Sequence, residues 1–133
     1  MKKEFLDLGK QPIANKFLKE SEIKDEFFFD LKMVFDEETK LVSMKEFVKP
    51  EMMFNDDYKY NTSLSTPMVN HFKEAADMLN KRFKPKSVLE IGSNDGPFIT
   101  NFDRDISVCV EPCGNFSLKT AHMGYQSYTY FWN

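Results

Sequence analysis

The chain of 133 residues carries 18 Lys and Arg against 21 Asp and Glu, a formal net charge of −3. Because the two signs are interspersed, we expect neither a nucleic acid nor a membrane as the main partner. No run of about 18 apolar residues occurs, so no transmembrane span is expected. The segment after Met1 lacks the apolar core of a signal peptide, and only two cysteines occur, which favours a cytoplasmic location.

The first 50 residues lack helical periodicity and contain short extended segments. Residues 27–35 and 40–48 favour strands, and the acidic turn at residues 36–39 predicts that they pair as a hairpin. Residues 51–66 are polar and aromatic, which indicates an irregular segment.

From Pro67 onward the pattern changes to alternating helices and strands. Thr66 is a candidate N-cap for a helix that begins at Pro67, and apolar residues recur at helical spacing through Leu79. Beyond this helix we expect a strand at 88–91, a helix at 97–103, a strand at 106–110, a helix at 114–123 and the start of a strand at 125–128. This order predicts an α/β domain.

The most informative segment follows the first of these strands. Gly92 and Gly96 bracket a turn in which the backbone bends sharply and a ligand can approach it. A dinucleotide fingerprint needs two more glycines, but Asn94 and Pro97 occupy those positions, and no P-loop lysine follows. Glu90, two residues before Gly92, then predicts a nucleotide or nucleoside cofactor site. A glycine present for turn geometry alone is the alternative. We expect Gly92→Val to clash with both the backbone and the ligand.

A second acidic residue ends the next strand. Glu111 precedes Pro112, which stops the strand. A carboxylate at this place can accept hydrogen bonds from both hydroxyls of a ribose, so Glu111 is the best single candidate for a cofactor contact. A solvated glutamate at a strand end is the alternative.

The pattern Glu90-x-Gly92-x-x-x-Gly96 resembles motif I of the class I S-adenosylmethionine-dependent methyltransferases. Several blocks resemble, in order, the sugar C-methyltransferase family, whose members methylate a carbon of a nucleotide-linked keto-deoxysugar. These blocks are residues 5–17, residues 54–60 with Ser63 and Ser65, the Glu-Ile-Gly-Ser-Asn-Asp-Gly motif at residues 90–96, and residues 110–112 with Asn115. The resemblance extends over essentially the whole chain.

This resemblance implies S-adenosylmethionine as the cofactor and a nucleotide sugar as the substrate of the full-length family. Glu111 would hold the ribose, and the methionine end would be shaped by Glu90, Gly92, Ser93, Asn94 and Gly96. Tyr58, Tyr60 and Ser63 would close over the cofactor or contact the sugar nucleotide; packing of the two rings at a domain junction is the alternative. The sequence shows no set of catalytic partner residues for His71 or His122, so the catalytic residues are unknown.

The first domain departs from the family in its metal ligands. The resemblance implies two Cys-x-x-Cys pairs that bind zinc, one before Phe5 and one near Asp36 and Thr39. All four cysteines are missing, so we expect no zinc. The acidic turn could hold a hard cation, but a solvated turn is favoured. The domain then has to rest on an aromatic core that includes Phe27, Phe29, Phe35 and Phe47.

The predicted fold is therefore α/β. It comprises a small β-hairpin domain resembling a degenerate zinc ribbon at residues 1–53, a tyrosine-containing linker at 54–66, and the first half of a Rossmann-like methyltransferase sheet at 67–133. Such a sheet runs 3-2-1-4-5, so strand 88–91 would be an edge that invites a partner chain or self-association.

The catalytic part of the family lies beyond the third strand, so we expect this chain to be inactive without it. The first functional hypothesis is the cofactor-binding amino-terminal part of a sugar C-methyltransferase. The second is a non-catalytic remnant or interaction module that keeps the fold. A nicotinamide-dependent oxidoreductase is a third, which Asn94 and Pro97 disfavour.

Overall fold

The computed structural model describes residues 1–132 and divides the chain into two compact units, Met1–Met53 and Phe54–Asn133. The first contains an antiparallel three-stranded sheet and the second a separate parallel three-stranded sheet. The chain is thus a mixed α/β protein, as the sequence predicts. Residues 54–66, the predicted linker, fall within the second unit.

The sheet of the first unit has the order β1-β2-β3. These strands are β1 (Lys2–Pro12), β2 (Phe28–Asp36) and β3 (Val42–Met44), and a short helix, α1 (Pro50–Met53), follows them. The antiparallel pairing of β2 with β3 confirms the hairpin predicted around residues 36–39. β3 is shorter than the predicted strand at 40–48.

Strand β1 is the element of this sheet that the sequence analysis misses. Its pairing with β2 shifts register between Glu4 and Leu6 and again between Asp7 and Lys10. Gly9 lies in the second shift with φ +68°, and its N–H donates to Asp7 Oδ1 at 2.9 Å. These irregularities interrupt the alternation of apolar and polar residues by which a strand is recognised.

The core of the first unit is aliphatic, so the predicted aromatic core is wrong. The buried hydrophobic residues of this unit are Ile13, Val34 and Val48. Phe47 is 75% exposed and Phe27 is 41% exposed. Phe29 and Phe35 are half-buried. Successive side chains of a strand point to opposite faces, so the burial of Val34 places its neighbour Phe35 on the other face of β2.

The second unit begins with an irregular segment and then a long helix, α2 (Thr66–Phe83). Ser65 is its N-cap, one residue before the predicted cap, and Pro67 lies in the first turn, where its missing N–H has no intrahelical acceptor to lose. The helix ends at Lys84, which adopts the left-handed conformation with φ 45°. Ala76 is fully buried and marks the face that packs on the core.

The parallel sheet runs in the order β4-β5-β6. Its strands are β4 (Val88–Ile91), β5 (Ser107–Val110) and β6 (Gln126–Tyr128), and α3 (Gly114–His122) connects the last two. These elements confirm the predicted strands and the helix predicted at 114–123. Within the described part of the chain β4 pairs only with β5, so it is an edge strand.

The helix predicted at residues 97–103 is wrong. The structure has a single 3₁₀ turn, Ile99–Asn101, and Phe102 after it is extended. The side-chain amide of Asn101 donates to the carbonyl oxygens of Pro97 and Phe98, each at 2.9 Å. In an α-helix the Pro97 carbonyl would accept the backbone N–H of Asn101, which here donates to the Phe98 carbonyl at 3.1 Å. The side-chain amide thus takes the acceptor of that helical bond.

The core of the second unit lies between α2, the 3₁₀ turn and one face of the sheet. Its buried members are Ala76, Ile99, Phe102, Cys109 and Tyr125, with Leu79, Val88 and Phe98 packed against them. The hydroxyl of Tyr125 donates to the carbonyl of Phe102 at 3.1 Å, so this buried hydroxyl group has a hydrogen-bond partner. The helices of residues 1–132 are too short or too polar to cross a lipid bilayer.

Candidate functional site

The candidate site is built on the turn between Gly92 and Gly96, where β4 ends. The N–H of Gly92 donates to the carbonyl of Val110 at 2.8 Å, which ties the turn to the end of β5. Gly92 has φ +74° and Gly96 has φ +87°, conformations that favour glycine. The two glycines differ in their surroundings. A Cβ on Gly96 would lie 2.9 Å from Thr120 Cγ2, whereas a Cβ on Gly92 would meet no atom within 4 Å.

A Cβ at position 92 would therefore meet no neighbouring residue, and the backbone clash expected of valine is confined to its own main chain, which a positive φ crowds. The side-chain direction of Gly92 opens into free space, so glycine is required there by its positive φ and not by a protein neighbour. This free space leaves the backbone accessible to a ligand, which is the property the sequence analysis assigns to the turn.

Glu111 fastens the turn from the neighbouring strand. Its side chain is only 4% exposed, so it is not the solvated strand-end glutamate considered as an alternative. Oε2 accepts the N–H of Asn94 at 2.7 Å, and Oε1 accepts the N–H of Cys113 at 2.9 Å. The two strand ends are thus joined through one carboxylate. A carboxylate has about four acceptor sites, so these bonds do not exhaust its capacity for a ligand hydroxyl.

Glu90 lies at the same strand end and is half-buried. Burial raises the pKa of its carboxyl to about 7, and the nearby Glu111 carboxylate adds to the rise, while a hydrogen bond from the Ile99 N–H opposes it. Among the described residues no group hydrogen-bonds to Oε2 of Glu90, which is buried. Glu90 is therefore an acid poised near neutrality with one unused acceptor.

The segment at residues 60–63 is bound to the turn by two side chains. Asn94 Oδ1 accepts the N–H of Thr62 at 2.9 Å, and Asn94 Nδ2 donates to the carbonyl of Tyr60 at 3.0 Å. Asp95 accepts the N–H of Ser63 at 3.1 Å and also its hydroxyl. The structure therefore brings Ser63 and the backbone of Tyr60 to the predicted site.

The two tyrosines differ. The ring of Tyr58 packs edge-on against Phe54 and Phe116, with centroid separations of 5.3 and 6.2 Å. Its carbonyl accepts the side-chain amide of Asn115 at 3.2 Å. The ring of Tyr58 therefore packs against other aromatic rings, which is the alternative to a cofactor contact, but it does so within the second unit and not at a domain junction. The ring of Tyr60 is 44% exposed and open to solvent.

The remaining predicted site residue, Ser93, is 2% exposed and lies beside the buried thiol of Cys109. It therefore faces the core and not the open side of the turn. His71 and His122 are both exposed. Cys109 and Cys113 are buried and unpaired, and burial raises the pKa of Cys113 to about 12, so this thiol is not a nucleophile at neutral pH.

Two functional contacts have no counterpart in the sequence analysis. Asp95 stands in the quoted motif but has no assigned role, although it holds Ser63. Asp56 Oδ1 accepts the N–H of Gly114 at 2.8 Å, and so satisfies a first-turn donor of α3. In both cases the sequence shows an aspartate next to turn residues, which indicates a carboxylate that can accept a backbone N–H group. Which backbone donor it takes depends on chain segments more than 30 residues away.

The site is acidic. Glu90, Asp95 and Glu111 all lie in or next to the turn, and the raised pKa of Glu90 reflects in part the charge of Glu111. An anionic phosphate in this place would be repelled, while a cationic group would be attracted and would favour ionised Glu90. The arrangement suits a nucleoside that carries positive charge.

A metal centre does not fit the described residues. Residues 1–132 contain no group of three or more His, Cys, Asp and Glu placed to hold a metal ion. Residues 1–54 contain neither Cys nor His in the sequence itself, and these are the ligands of structural zinc sites.

Comparison with known protein families gives one result. Residues 1–54 match a family model described as "Putative zinc binding domain", a domain associated with methyltransferases. The match indicates a methyltransferase-related role for the chain. A search of curated proteins returns no match.

Proposed function

We propose that this chain is the cofactor-binding amino-terminal part of an S-adenosylmethionine-dependent methyltransferase, and that the enzyme methylates a carbon of a nucleotide-linked deoxysugar. The match of residues 1–54 to a methyltransferase-associated domain supports the general class. The ordered motifs that resemble sugar C-methyltransferases support the substrate. The parallel order β4-β5-β6 agrees with strands 1, 2 and 3 of a Rossmann-like sheet.

The observation that carries the proposal is the open, immobilised turn at Gly92. It stands at the carboxyl ends of two adjacent parallel strands, where open α/β sheets bind ligands. It is fixed by Val110, by Glu111 and by the segment at residues 60–63. Because the turn is already ordered, a ligand that lies against it loses little free energy to ordering the chain.

Charge supports this cofactor over a dinucleotide. S-adenosylmethionine carries an ammonium and a sulfonium and no phosphate, so the carboxylates of Glu90 and Glu111 attract it. NAD carries a pyrophosphate, which the same carboxylates repel. The oxidoreductase hypothesis is disfavoured for this reason as well as by Asn94 and Pro97.

The cofactor, when bound, supplies an electrophilic methyl group. The residues of this chain bind and orient it. Glu90 would attract the cationic end through its charge, Glu111 would take a ribose hydroxyl while it holds the turn, and Tyr60 and Ser63 would border the open side. No described residue is assigned as the catalytic acid or base.

Titration calorimetry of the 133-residue chain tests the proposal. We expect S-adenosylmethionine to bind with micromolar affinity and NAD not to bind. Gly92→Ala should weaken binding at least tenfold, because a methyl group would fill the space that the ligand needs.

The matched control is Gly9→Ala in the first unit. Gly9 has φ +68°, and a Cβ on Gly9, like one on Gly92, would meet no atom within 4 Å, so both variants place a methyl group at a positive φ without a neighbour in the way. We expect Gly9→Ala to bind normally. Equal binding by Gly92→Ala and Gly9→Ala would remove the turn from the cofactor site.

The second candidate is an interaction module without turnover. It is favoured by strand β4, an edge strand on which Leu89 is 47% exposed and Ile91 is 53% exposed. Exposed apolar residues on an unpaired edge are typical of strands that pair with another chain. Absence of binding to any nucleoside, together with concentration-dependent self-association that Leu89→Lys abolishes, would favour this candidate.

A further inference from the structure

The first unit combines a match to a zinc-binding domain with a complete lack of zinc ligands. Residues 1–54 contain no Cys and no His, and the match extends over the same residues. Carboxylates are the remaining anionic groups, but a structural zinc site normally takes four Cys or His ligands.

We infer that the first unit is a metal-independent form of this domain, in which the β1–β2 ladder and two ion pairs hold the start of the chain against the β2–β3 hairpin. The ladder and one of the ion pairs join the start of the chain, before Phe5, to the turn that contains Asp36 and Thr39. The inference does not depend on the proposed cofactor.

The structure places these two segments side by side. Lys2 pairs with Asp36 and Lys3 with Phe35 in the ladder, and the N–H of Glu37 donates to the carbonyl of Met1 at 3.1 Å. Lys3 Nζ lies 2.6 Å from Glu37 Oε1.

A second ion pair ties the same amino-terminal segment to the far side of the hairpin. Lys45 Nζ, just beyond β3, lies 2.9 Å from Glu4 Oε2. The start of β1 is thus linked by side chains both to the turn and to the end of β3.

The turn itself is closed without a metal. Asp36 Oδ1 accepts the N–H of Glu38 at 2.9 Å and that of Thr39 at 3.5 Å, and the N–H of Lys40 donates to the Asp36 carbonyl at 2.8 Å. The carboxylate of Asp36 is therefore engaged by backbone donors.

The ion pairs and the β1–β2 ladder differ in how much free energy they contribute. Lys3 is 62% exposed and Glu37 is 42% exposed, and exposed pairs of this kind change an equilibrium by only about two- to fivefold. The ladder, with eight paired positions between β1 and β2, supplies most of the cohesion. The ion pairs hold the end of the ladder in place, but they do not supply the stabilising free energy that a bound zinc ion would.

Two measurements on the 133-residue chain test the metal independence. We expect protein purified without chelator to contain only trace zinc by elemental analysis. Amide hydrogen exchange of β1 and β2 should be the same with and without EDTA. Stoichiometric zinc, or faster exchange of these strands in EDTA, would overturn the inference.

A charge swap tests the ion pair. Lys3→Glu and Glu37→Lys should each lower the protection factor of the amide at position 37 (the intrinsic exchange rate divided by the observed rate) about two- to fivefold at low salt, and the double variant should restore it. The effect should shrink in 1 M NaCl, because salt screens exposed charges. A double variant that exchanges as fast as the single variants would contradict the role of the pair.

The matched control is Lys59→Glu in the second unit, where Lys59 Nζ lies 3.9 Å from Asp57 Oδ1. It changes the net charge by the same amount as Lys3→Glu, and we expect it to leave exchange of the Glu37 amide unchanged. If it accelerated that amide equally, the Lys3 result would reflect net charge and the ion-pair part of the inference would fail.

Discussion

The antiparallel sheet of the first unit and the parallel sheet of the second hold their strands by different means. In the first unit the buried hydrophobic residues are three aliphatic side chains, Ile13, Val34 and Val48, and the ion pairs are exposed. In the second unit the end of the sheet buries polar groups, among them Asp95 and Glu111, and each of these two carboxylates binds donors from another segment.

The difference concerns how sensitive each unit is to a single change. A buried carboxylate that satisfies two backbone donors leaves both unsatisfied when it is removed. An exposed pair that is removed leaves groups that water can solvate. We therefore expect single substitutions at the turn of the second unit to have large effects, and substitutions at the turn of the first unit to have small ones.

The largest effect is expected for Glu111→Ala. The buried N–H groups of Asn94 and Cys113 would lose their acceptor, and each unsatisfied donor costs about 1–3 kcal/mol. We expect the free energy of unfolding to fall by roughly 3–5 kcal/mol in urea titrations. Glu74→Ala on the exposed face of α2 is the control and should change it by less than about 0.5 kcal/mol. A loss at Glu111 no greater than that at Glu74 would contradict the role of the buried carboxylate.

Next in size is Gly96→Ala. The new methyl group would lie 2.9 Å from Thr120 Cγ2 at a φ of +87°. Overpacking and the left-handed conformation together should destabilise the second unit by about 2–4 kcal/mol. Gly92→Ala has the same kind of φ but free space, so it should cost only about 1 kcal/mol. Urea unfolding of the two variants, followed by tyrosine and tryptophan fluorescence, would separate the steric part from the conformational part. Equal losses of stability in the two variants would mean that the neighbouring side chains move and relieve the crowding at Gly96.

The positions of the tyrosines and the tryptophan determine which unit fluorescence reports on. All five tyrosines and the one tryptophan lie at or beyond residue 58, within the second unit. Their fluorescence therefore reports on the second unit. The first unit has only phenylalanine among its aromatic residues, so its unfolding has to be followed by hydrogen exchange of assigned amides.

The two units also differ in how well the sequence predicts them. In the second unit the strands at β4, β5 and β6 follow from short apolar segments bounded by turn residues. In the first unit β1 is missed because the shift around Gly9 breaks its alternation. The wrong aromatic core has a similar cause, since composition counts phenylalanines but does not show that Val34 and not Phe35 faces inward.

At the candidate site the sequence predicts which residues meet but not how they bond. Neighbouring parallel strands bring Glu111 close to the turn at Gly92, and this follows from the order of elements. That Glu111 accepts the N–H of Asn94, and that Asp95 holds Ser63, depends on the exact path of the backbone. The helix predicted at 97–103 fails for the same reason, because the side-chain amide of Asn101 takes the carbonyl of Pro97.

A pH-dependent effect of intermediate size is expected for Glu90→Gln. The folded-state pKa of Glu90, about 7, lies above its ordinary value of 4.5. Its contribution to stability is therefore fully present below about pH 4.5 and is lost as the pH rises through 7. The variant should resemble the wild type at pH 5 and be more stable than it at pH 8, by roughly 1–3 kcal/mol.

Urea unfolding at both pH values, followed by the fluorescence of the second unit, measures this difference. Glu111 and the Cys109 thiol are the ionisable groups coupled to Glu90, and neither is cationic. Glu74→Gln, on the exposed face of α2, should track the wild type at both pH values. A Glu90→Gln variant with the same pH dependence as the wild type would show that Glu90 is ionised in the folded chain at pH 5.

The smallest effect is expected for Asp36→Ala in the first unit. Hydrogen bonds from the N–H groups of Glu38 and Thr39 hold the pKa of Asp36 below its ordinary value of 3.8. A lowered pKa contributes stability above about pH 4, and this contribution is lost as the pH falls through the folded-state value. We therefore expect the variant to speed exchange of the Glu38 amide at pH 7 but to leave the fluorescence transition of the second unit unchanged. Asp30→Ala, an exposed change on β2, is the control. If Asp36→Ala lowered the stability of its unit as much as Glu111→Ala lowers that of the other, an exposed turn would be as sensitive as a buried one, and the contrast between the two sheets would not hold.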